Sequence, residues 1–219
     1  MNYYTKRKIL NLFFPSRCPV CDEIINVNDR FCPDCTEKIT SYTGSFRISG
    51  ASEFFSAFEY NKEIMPAVFL LKKGNCGNSA HAFGACLADV LKNNNISEKT
   101  DIIVPVPMSD ESRQRRGYNQ SELIAETVSA EINKPVKCIV RKIRETKEQK
   151  SLGRAGRKLN LMNAFQVTEN ITRKRILLID DICTTGSTLS EIAVLFRTNG
   201  AEDVICATAM KVMKKKTDT

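Results

Sequence analysis

The stretch RILLIDDICTTGSTLSE, residues 175–191, decides the fold of this chain. Its first residues form a continuous apolar run, which is typical of a strand buried on both faces of a sheet. Two adjacent carboxylates, Asp180 and Asp181, follow that run, and a short polar turn then leads into a helix-like pattern. The order strand, turn, helix predicts one unit of an α/β sheet. Both acids would then lie at the carboxyl end of the strand, where such sheets bind ligands.

The polar turn has the residue types of a phosphate site. It consists of Thr184, Thr185, Gly186, Ser187 and Thr188. Backbone N–H groups at the start of a helix point outward without partners, and the helix dipole adds partial positive charge. The glycine lets the backbone approach an anion, and the hydroxyl groups add donors. The two acids can then accept hydrogen bonds from ribose hydroxyls or help to hold Mg²⁺, so the pattern predicts a sugar phosphate ligand.

Strand-like and helix-like patterns alternate along the chain and predict a parallel-dominated α/β sheet with flanking helices. Strands are predicted at 53–61, 101–107, 136–143, 163–169, 174–181 and 203–212, and helices at 64–71, 80–92, 119–132 and 187–201. The last of these helices is expected to end at Asn199 and Gly200, which form a left-handed cap. His81, the single histidine, lies near the start of the second helix and is expected to be a cap or a surface residue.

Four cysteines are clustered near the N-terminus in CPVCDEIINVNDRFCPDC. Cys18, Cys21, Cys32 and Cys35 form two C-x2-C pairs, and each pair can turn so that both sulfurs face one centre. Four thiolates in a tetrahedron suit a closed structural Zn²⁺ site. An iron–sulfur centre or a redox-active pair is the alternative, although no βαβ pattern precedes either pair, which weakens the redox interpretation. Few apolar residues lie in this segment, so we expect metal binding to supply its folding energy.

The remaining features limit the class and location of the protein. No apolar run reaches the ~18 residues of a membrane span, and the apolar piece at 9–14 is too short for a secretory signal. We expect that piece to form a short helix packed on the body. The number of cysteines is nine, which is odd, and no export signal is visible, so the sequence argues against a disulfide framework and we expect a reducing, cytoplasmic location. The net charge of +8 favours an anionic partner.

The stretch of acids and turn is similar to the phosphoribosyl pyrophosphate (PRPP) motif of type I phosphoribosyltransferases. The resemblance implies that Asp180 and Asp181 contact the ribose hydroxyls and that residues 184–188 wrap the 5′-phosphate, with Mg²⁺ accompanying PRPP. Other α/β proteins also contain a strand, turn and helix of this kind. In a receiver domain, however, paired acids normally lie near the start of the domain, whereas these lie near the end.

Several further segments together resemble the ComF family, which includes competence proteins of DNA uptake. They are the cysteine pairs, LLKKG at 70–74, VPVPMSDESRQRRGYNQSELIA, and KEQKSLGRAGRKLNLMNAF. The resemblance covers nearly the whole chain and implies a zinc-binding ribbon module at 1–45 and a phosphoribosyltransferase-like domain at 46–219.

The resemblance also assigns two loops. It places a pyrophosphate loop at Arg115, Arg116, Gly117, Tyr118, Asn119 and Gln120, where arginine is suited to phosphate oxygens. It also places a flexible basic loop, which closes over the active site in phosphoribosyltransferases, at Lys147, Lys150, Arg154, Arg157 and Lys158.

Two functions follow from these features, and they belong to different classes. One is a protein of DNA uptake that binds PRPP or a related sugar phosphate and contacts single-stranded DNA, with competence or DNA-processing proteins as possible partners. Its basis is the zinc knuckle, the net positive charge and the arginine-rich loop. The other is an active phosphoribosyltransferase, in which a nitrogen nucleophile displaces pyrophosphate from PRPP. The sequence reveals no pocket for an acceptor base, and fold-level analogy does not choose between the two.

Overall fold

In a computed structural model of the chain, residues 2–73, 77–143 and 164–213 are described. The helices are α1 (Tyr3–Phe13), α2 (Pro33–Lys38), α3 (Met65–Lys73), α4 (Gly77–Asn93), α5 (Asp110–Arg116), α6 (Gln120–Ile132) and α7 (Ser187–Thr198). The strands are β1 (Glu53–Glu59), β2 (Ile102–Pro105), β3 (Val140–Lys142), β4 (Phe165–Val167), β5 (Arg175–Cys183) and β6 (Asp203–Lys211).

The main sheet has the strand order β1-β6-β5-β2, and all neighbouring strands are parallel. A parallel bridge from Ile103 to Val136 extends the sheet beyond β2. The predicted strands at 136–143 and 163–169 contribute instead a separate antiparallel pair, β3 with β4. The predicted parallel-dominated α/β architecture is therefore confirmed, with one antiparallel pair outside the main sheet.

Alternate residues of β5 enter two different apolar cores. Leu177 and Ile179 pack with residues of α3, α4 and α6, whereas Ile176 and Leu178 pack with residues of α7. All four side chains are buried, as the continuous apolar run predicts for a sheet covered on both faces. The run thus fixes β5 in the middle of the molecule and brings its carboxyl end to the edge where ligands bind.

Two sequence-based expectations about the first half of the chain are wrong in part. Residues 9–13 are helical, but their side chains do not pack on the body: Leu12 and Phe13 are 80% and 75% exposed. The body-facing side of α1 is formed by polar and aromatic residues such as Tyr3, whose hydroxyl bonds to Thr127. His81 is neither a cap nor a surface residue, because α4 begins four residues earlier and the ring is 3% exposed.

The burial of His81 has a local cause and a chemical consequence. Its ring stacks on Tyr3, whose hydroxyl lies 3.3 Å from Nδ1. Burial and the charges of Arg7 and Arg30 lower the pKa of His81 to about 4, so the ring is neutral near pH 7. Among the described residues, no helix has the length and apolar character needed to cross a bilayer.

Candidate functional site

The predicted phosphate turn joins β5 to α7 and encloses a pocket of about 40 Å³. Thr185 and Ser187 are exposed, and their hydroxyl oxygens are 2.8 Å apart. Gly186 is the N-cap of α7 and has a left-handed conformation with φ at 75°. Gly186 has no side chain that could cap the helix, and the Ser187 amide makes only a long hydrogen bond, at 3.4 Å, to Thr185 Oγ1, so the helix start suits a small anion.

The floor of this turn comes from the segment just before β1, which lies outside every predicted strand and helix. A Cβ atom on Gly186 would lie 2.5 Å from Ile48 Cδ1 and 2.9 Å from Phe46 Cε1. Ile48 is buried, and Phe46 packs against the same apolar core as α7. The glycine is therefore required by both its backbone angle and its neighbours, and Phe46 and Ile48 support the turn from below.

Lys211 holds the same turn from the end of β6. Its ammonium donates to the carbonyl oxygens of Thr184 at 2.7 Å and Val212 at 2.8 Å, and the Cys183 carbonyl lies 3.5 Å away. The ammonium also lies 4.1 Å from the centre of the Phe46 ring. Lys211 thus connects the phosphate turn to Phe46, in the segment before β1, and to β6.

The two predicted ribose-binding acids lie within the last four residues of β5, which continues to Cys183. Asp180 Oδ1 accepts hydrogen bonds from Ser121 Oγ and from the Asp181 amide, each at 2.9 Å. Asp181 Oδ1 accepts from the Ile182 amide at 2.7 Å. Burial, and the neighbouring charge of Asp181, raise the pKa of Asp180 to about 7. The charge of the Asp180 carboxyl group near pH 7 therefore depends on the charges beside it.

The first half of the predicted pyrophosphate loop is the end of α5 and the turn after it. Arg115 is exposed, and Arg116 donates to Gln120 Oε1 at 3.2 Å. Gly117 caps α5 in a left-handed conformation with φ at 79°. Both arginines lie in the last turn of the helix, and no side chain would contact a Cβ atom on the glycine.

The second half of the loop is anchored to the body of the protein. The Tyr118 hydroxyl donates to the Leu71 carbonyl, and Asn119 Nδ2 donates to the Val106 carbonyl, each at 2.9 Å. Asn119 also caps α6. Gln120 is buried, and its Nε2 has no hydrogen-bond partner among the described residues. A buried donor of this kind is available to a ligand oxygen.

The contact from Ser121 to Asp180 brings the predicted groups together. Ser121 lies in the first turn of α6, directly after the pyrophosphate loop, while Asp180 lies directly before the phosphate turn. The starts of α6 and α7 and the end of β5 therefore meet at one edge of the sheet. The predicted basic loop, with Lys147, Lys150, Arg154, Arg157 and Lys158, lies outside the described residues, between β3 and β4.

The four clustered cysteines form a second site. All of their sulfur atoms lie within 4.8 Å of one another, and Cys21 Sγ and Cys32 Sγ are 3.5 Å apart. Tetrahedral zinc with Zn–S bonds of ~2.3 Å needs sulfurs ~3.8 Å apart, so the cluster fits Zn²⁺. Cys18, Cys32 and Cys35 are buried, and Cys21 is exposed.

Local hydrogen bonds shape both cysteine turns. The Cys18 amide donates to the Glu23 carbonyl, and the Asp22 amide donates to the Cys18 carbonyl, which closes the first turn. The second turn opens α2, with Pro33 as its first helical residue. The sequence separation of the cysteines was thus sufficient to predict the cluster, because each pair is formed by short-range turns.

Two family models match this arrangement. The double zinc ribbon domain matches residues 9–46, and the phosphoribosyl transferase domain matches residues 79–219. The second match covers more than half of the chain and contains the acids, the phosphate turn and the pyrophosphate loop.

The family is shown by these two domain matches together with a curated relative that covers most of the chain. DNA utilization protein YhgH of Escherichia coli K12 is 30% identical over 200 residues, which cover 85% of this chain and 86% of that protein. The chain belongs to the ComF family.

Other relatives support the same membership. Competence protein ComFC of Streptococcus pneumoniae is 29% identical over 207 residues, covering 85% of this chain and 84% of that protein. Competence protein F of Haemophilus influenzae is 39% identical over 108 residues, covering 48% of this chain and 47% of that protein. In this ComF-family chain, the zinc cluster and the phosphoribosyl transferase domain are thus parts of one architecture.

Several residues of the site were not among the predicted ones. Ser121, Phe46 and Lys211 contact the predicted residues over long separations in sequence. The signal for Lys211 was present, because a lysine at the end of a largely apolar strand pattern is unusual. The signal for Phe46 was weaker, since alternating apolar residues in SFRIS are the only local sign of burial.

Proposed function

We propose that this ComF-family protein binds PRPP or a related sugar phosphate at the edge of the sheet where β5 ends. In this proposal Asp180 and Asp181 accept hydrogen bonds from the ribose hydroxyls, and residues 184–188 hold the 5′-phosphate. Residues 115–120 contact the pyrophosphate. Mg²⁺ would be held through the two carboxylates and the ligand's phosphate oxygens, and its chemistry is to neutralise the charge of the pyrophosphate.

The observation that carries this proposal is the hydrogen bond between Ser121 and Asp180. It joins the helix start that follows the pyrophosphate loop to the acids that precede the phosphate turn. A ligand with phosphate at both ends and a diol between them has the same order of groups. The unpartnered Nε2 of Gln120 supplies a further donor beside this junction.

Direct binding tests this assignment. Isothermal titration calorimetry of the full chain with PRPP and Mg²⁺ should show saturable binding, and ribose 5-phosphate should compete for it. Glucose 6-phosphate, which also carries a phosphate but lacks the ribose diol, is the control and should compete poorly. Equal competition by both sugar phosphates would contradict the ribose part of the proposal.

We further propose that the protein acts in DNA uptake and handles incoming single-stranded DNA. The support is the net charge of +8, the zinc ribbon domain, and relatives that are named competence or DNA utilization proteins. Phosphate contacts give binding that varies little with base sequence and weakens as salt rises. Cytoplasmic location and contact with other DNA-processing proteins belong to the same proposal.

The salt dependence of DNA binding tests this second part. A face that neutralises roughly four to six phosphates gives a log–log slope near −3 to −4 for single strands. Replacing Arg154, Arg157 and Lys158 by alanine should flatten the slope by about two units. Replacing the exposed Lys6, Lys62 and Lys72 is the matched control for loss of charge alone.

Gel shifts of a labelled ~30-mer at several salt concentrations measure both slopes. The absence of any shift at low salt would contradict DNA binding by the isolated chain. Equal slopes for the two triple variants would instead contradict a role specific to the basic loop.

Transferase activity is the alternative, and the match to the phosphoribosyl transferase domain favours testing it. Pyrophosphate release should be measured after PRPP and Mg²⁺ are mixed with free bases or with single-stranded DNA. Release that depends on an acceptor would establish turnover, whereas binding without release would leave PRPP as a ligand.

A further inference from the structure

Lys211 is a buried cation that lacks a carboxylate partner in the part of the chain that the structure describes. Its side chain is surrounded by backbone carbonyls and by the Phe46 ring. Burying a charge is costly unless hydrogen bonds and an opposite charge compensate for it. The carbonyls supply the hydrogen bonds, and an anion on the neighbouring turn would supply the opposite charge.

The hydrogen bond to Thr184 connects Lys211 to the donors of the phosphate turn. In a trans peptide the C=O and N–H groups point in opposite directions. A lysine that holds the Thr184 carbonyl therefore also fixes the direction of the Thr185 N–H. The bond polarises the same peptide group, which makes its N–H a stronger donor.

We propose that Lys211 is a positioning residue for the phosphate of the sugar phosphate, acting through the Thr184–Thr185 peptide and through its own charge. The inference rests on the proposed ligand site. Phe46 keeps the ammonium in place, because the ring lies over it on one side while the carbonyls bind it on the other. The segment that follows the zinc cluster thereby becomes part of the phosphate site.

The test compares ribose 5-phosphate binding by the wild-type protein and by Lys211→Met, which removes the charge and preserves most of the side-chain volume. At pH 7.5 the dissociation constant of Lys211→Met should be about tenfold higher. Lys137→Met is the control, because Lys137 pairs with Glu169 on the surface. Lys211→Arg, which keeps the charge, should recover most of the lost affinity.

A pH profile separates the effect of charge from a merely structural effect. The second pKa of a phosphate group is about 6, so the ligand loses one negative charge between pH 7.5 and 5.5. The affinity ratio between wild type and Lys211→Met should shrink over this range. Titratable groups near Lys211 include Asp180, Asp181 and Cys183 in β5, Glu59 in β1, and Tyr42 beside Cys183 and Glu59, and all of them are the same in both proteins. A ratio that does not change with pH would overturn the inference.

A second measurement covers the case in which Lys211→Met does not fold. In wild-type protein labelled with ¹⁵N-lysine, the Lys211 ammonium resonance should shift when ribose 5-phosphate is added, and that of Lys137 should not. An unmoved Lys211 resonance in a protein that binds the ligand would overturn this inference alone. Failure of the wild-type protein to bind ribose 5-phosphate would instead contradict the proposed function itself.

Discussion

The cysteine cluster and the predicted phosphate turn differ in charge and in what supports them. The cysteine cluster gathers four sulfur atoms within 4.8 Å, and thiolates so close together repel one another without a cation. The phosphate turn gathers donors for an anion and is supported from below by Phe46 and Ile48. The first site needs its ligand to keep its shape, whereas the second is shaped by the surrounding core.

The difference follows from the sequence around each turn. The phosphate turn lies between β5 and α7, two elements in which most of the apolar residues are buried. The cysteine cluster lies in a segment with little regular structure, and its cysteines join the core mainly with Phe31. Side-chain packing therefore holds the phosphate turn in shape without a ligand, whereas the metal holds the cysteine cluster in shape.

Loss of zinc should produce the largest effect. Cys35→Ser should reduce zinc from one ion per chain to none and loosen residues 9–46, while the parallel sheet stays folded. Structural zinc contributes roughly 10–16 kcal/mol of binding energy in zinc-finger peptides, and removing one of four thiolate ligands takes away a large share of it, so we expect the variant to lose its zinc. Metal analysis and circular dichroism measure the outcome, with Cys138→Ser as the control. Zinc at the wild-type level in Cys35→Ser would contradict the four-cysteine site.

Loss of both acids should affect ligand binding without destabilising the sheet. The double variant Asp180→Asn, Asp181→Asn should weaken PRPP binding at least about 100-fold, because two charged hydrogen bonds are lost. Its unfolding free energy without ligand should be unchanged or higher, since the adjacent acids repel each other. Glu98→Gln with Glu169→Gln is the control for charge. Equal PRPP affinity in wild type and double variant, measured by calorimetry, would show that the ribose assignment is wrong.

Alanine substitutions at two glycines measure how strongly the packing beneath the phosphate turn contributes to stability. Gly186→Ala introduces left-handed strain of about 1–2 kcal/mol and forces Phe46 and Ile48 to move, which costs about 1–3 kcal/mol more. Gly117→Ala introduces the strain alone, because no atom lies within 4 Å of its added Cβ. Urea unfolding should therefore show the larger loss for Gly186→Ala. Equal losses would mean that the packing beneath the turn does not shape it.

The smallest expected effect is a pH dependence of stability. The folded-state pKa of Asp180 is raised above that of the unfolded chain, so the folded protein binds more protons between pH ~4 and ~7. Its contribution to stability is thus greatest at low pH and is lost as pH rises through this window. Asp180→Asn should remove a decline on the order of 1 kcal/mol, since solvent screens a half-buried group. Parallel slopes of unfolding free energy against pH in both proteins would contradict the raised pKa.

Patterns that depend on neighbouring residues predicted much of this molecule. The apolar run before Asp180 predicted a central strand, and Gly200 predicted the left-handed end of α7, which has φ at 87°. The spacing of the cysteines predicted the cluster. In each case the local sequence determines a strand, a cap or a tight turn, and the rest of the fold adds to it without changing it.

Local sequence patterns did not predict contacts between residues that are far apart in the sequence. Ser121 and Asp180 are 59 residues apart, and Tyr3 and His81 are 78 residues apart. No periodic pattern in the sequence predicts that such residues will be in contact, because the contact depends on how the strands are ordered in the sheet. The wrong expectation for His81 has this origin, since its burial depends on α1, which lies 78 residues earlier in the sequence at Tyr3.

The position of Phe46 and Ile48 has a consequence for dividing the protein into parts. The zinc ribbon match ends at residue 46 and the transferase match begins at 79, yet these two side chains and β1 belong to the core beneath α7 and beside β6. A truncated chain that starts at residue 79 would expose the underside of Gly186 and one edge of the sheet. Exchange of domains between relatives should therefore keep everything from residue 46 onward as one piece, and it must also replace the pairing of residues 40–42 with β1.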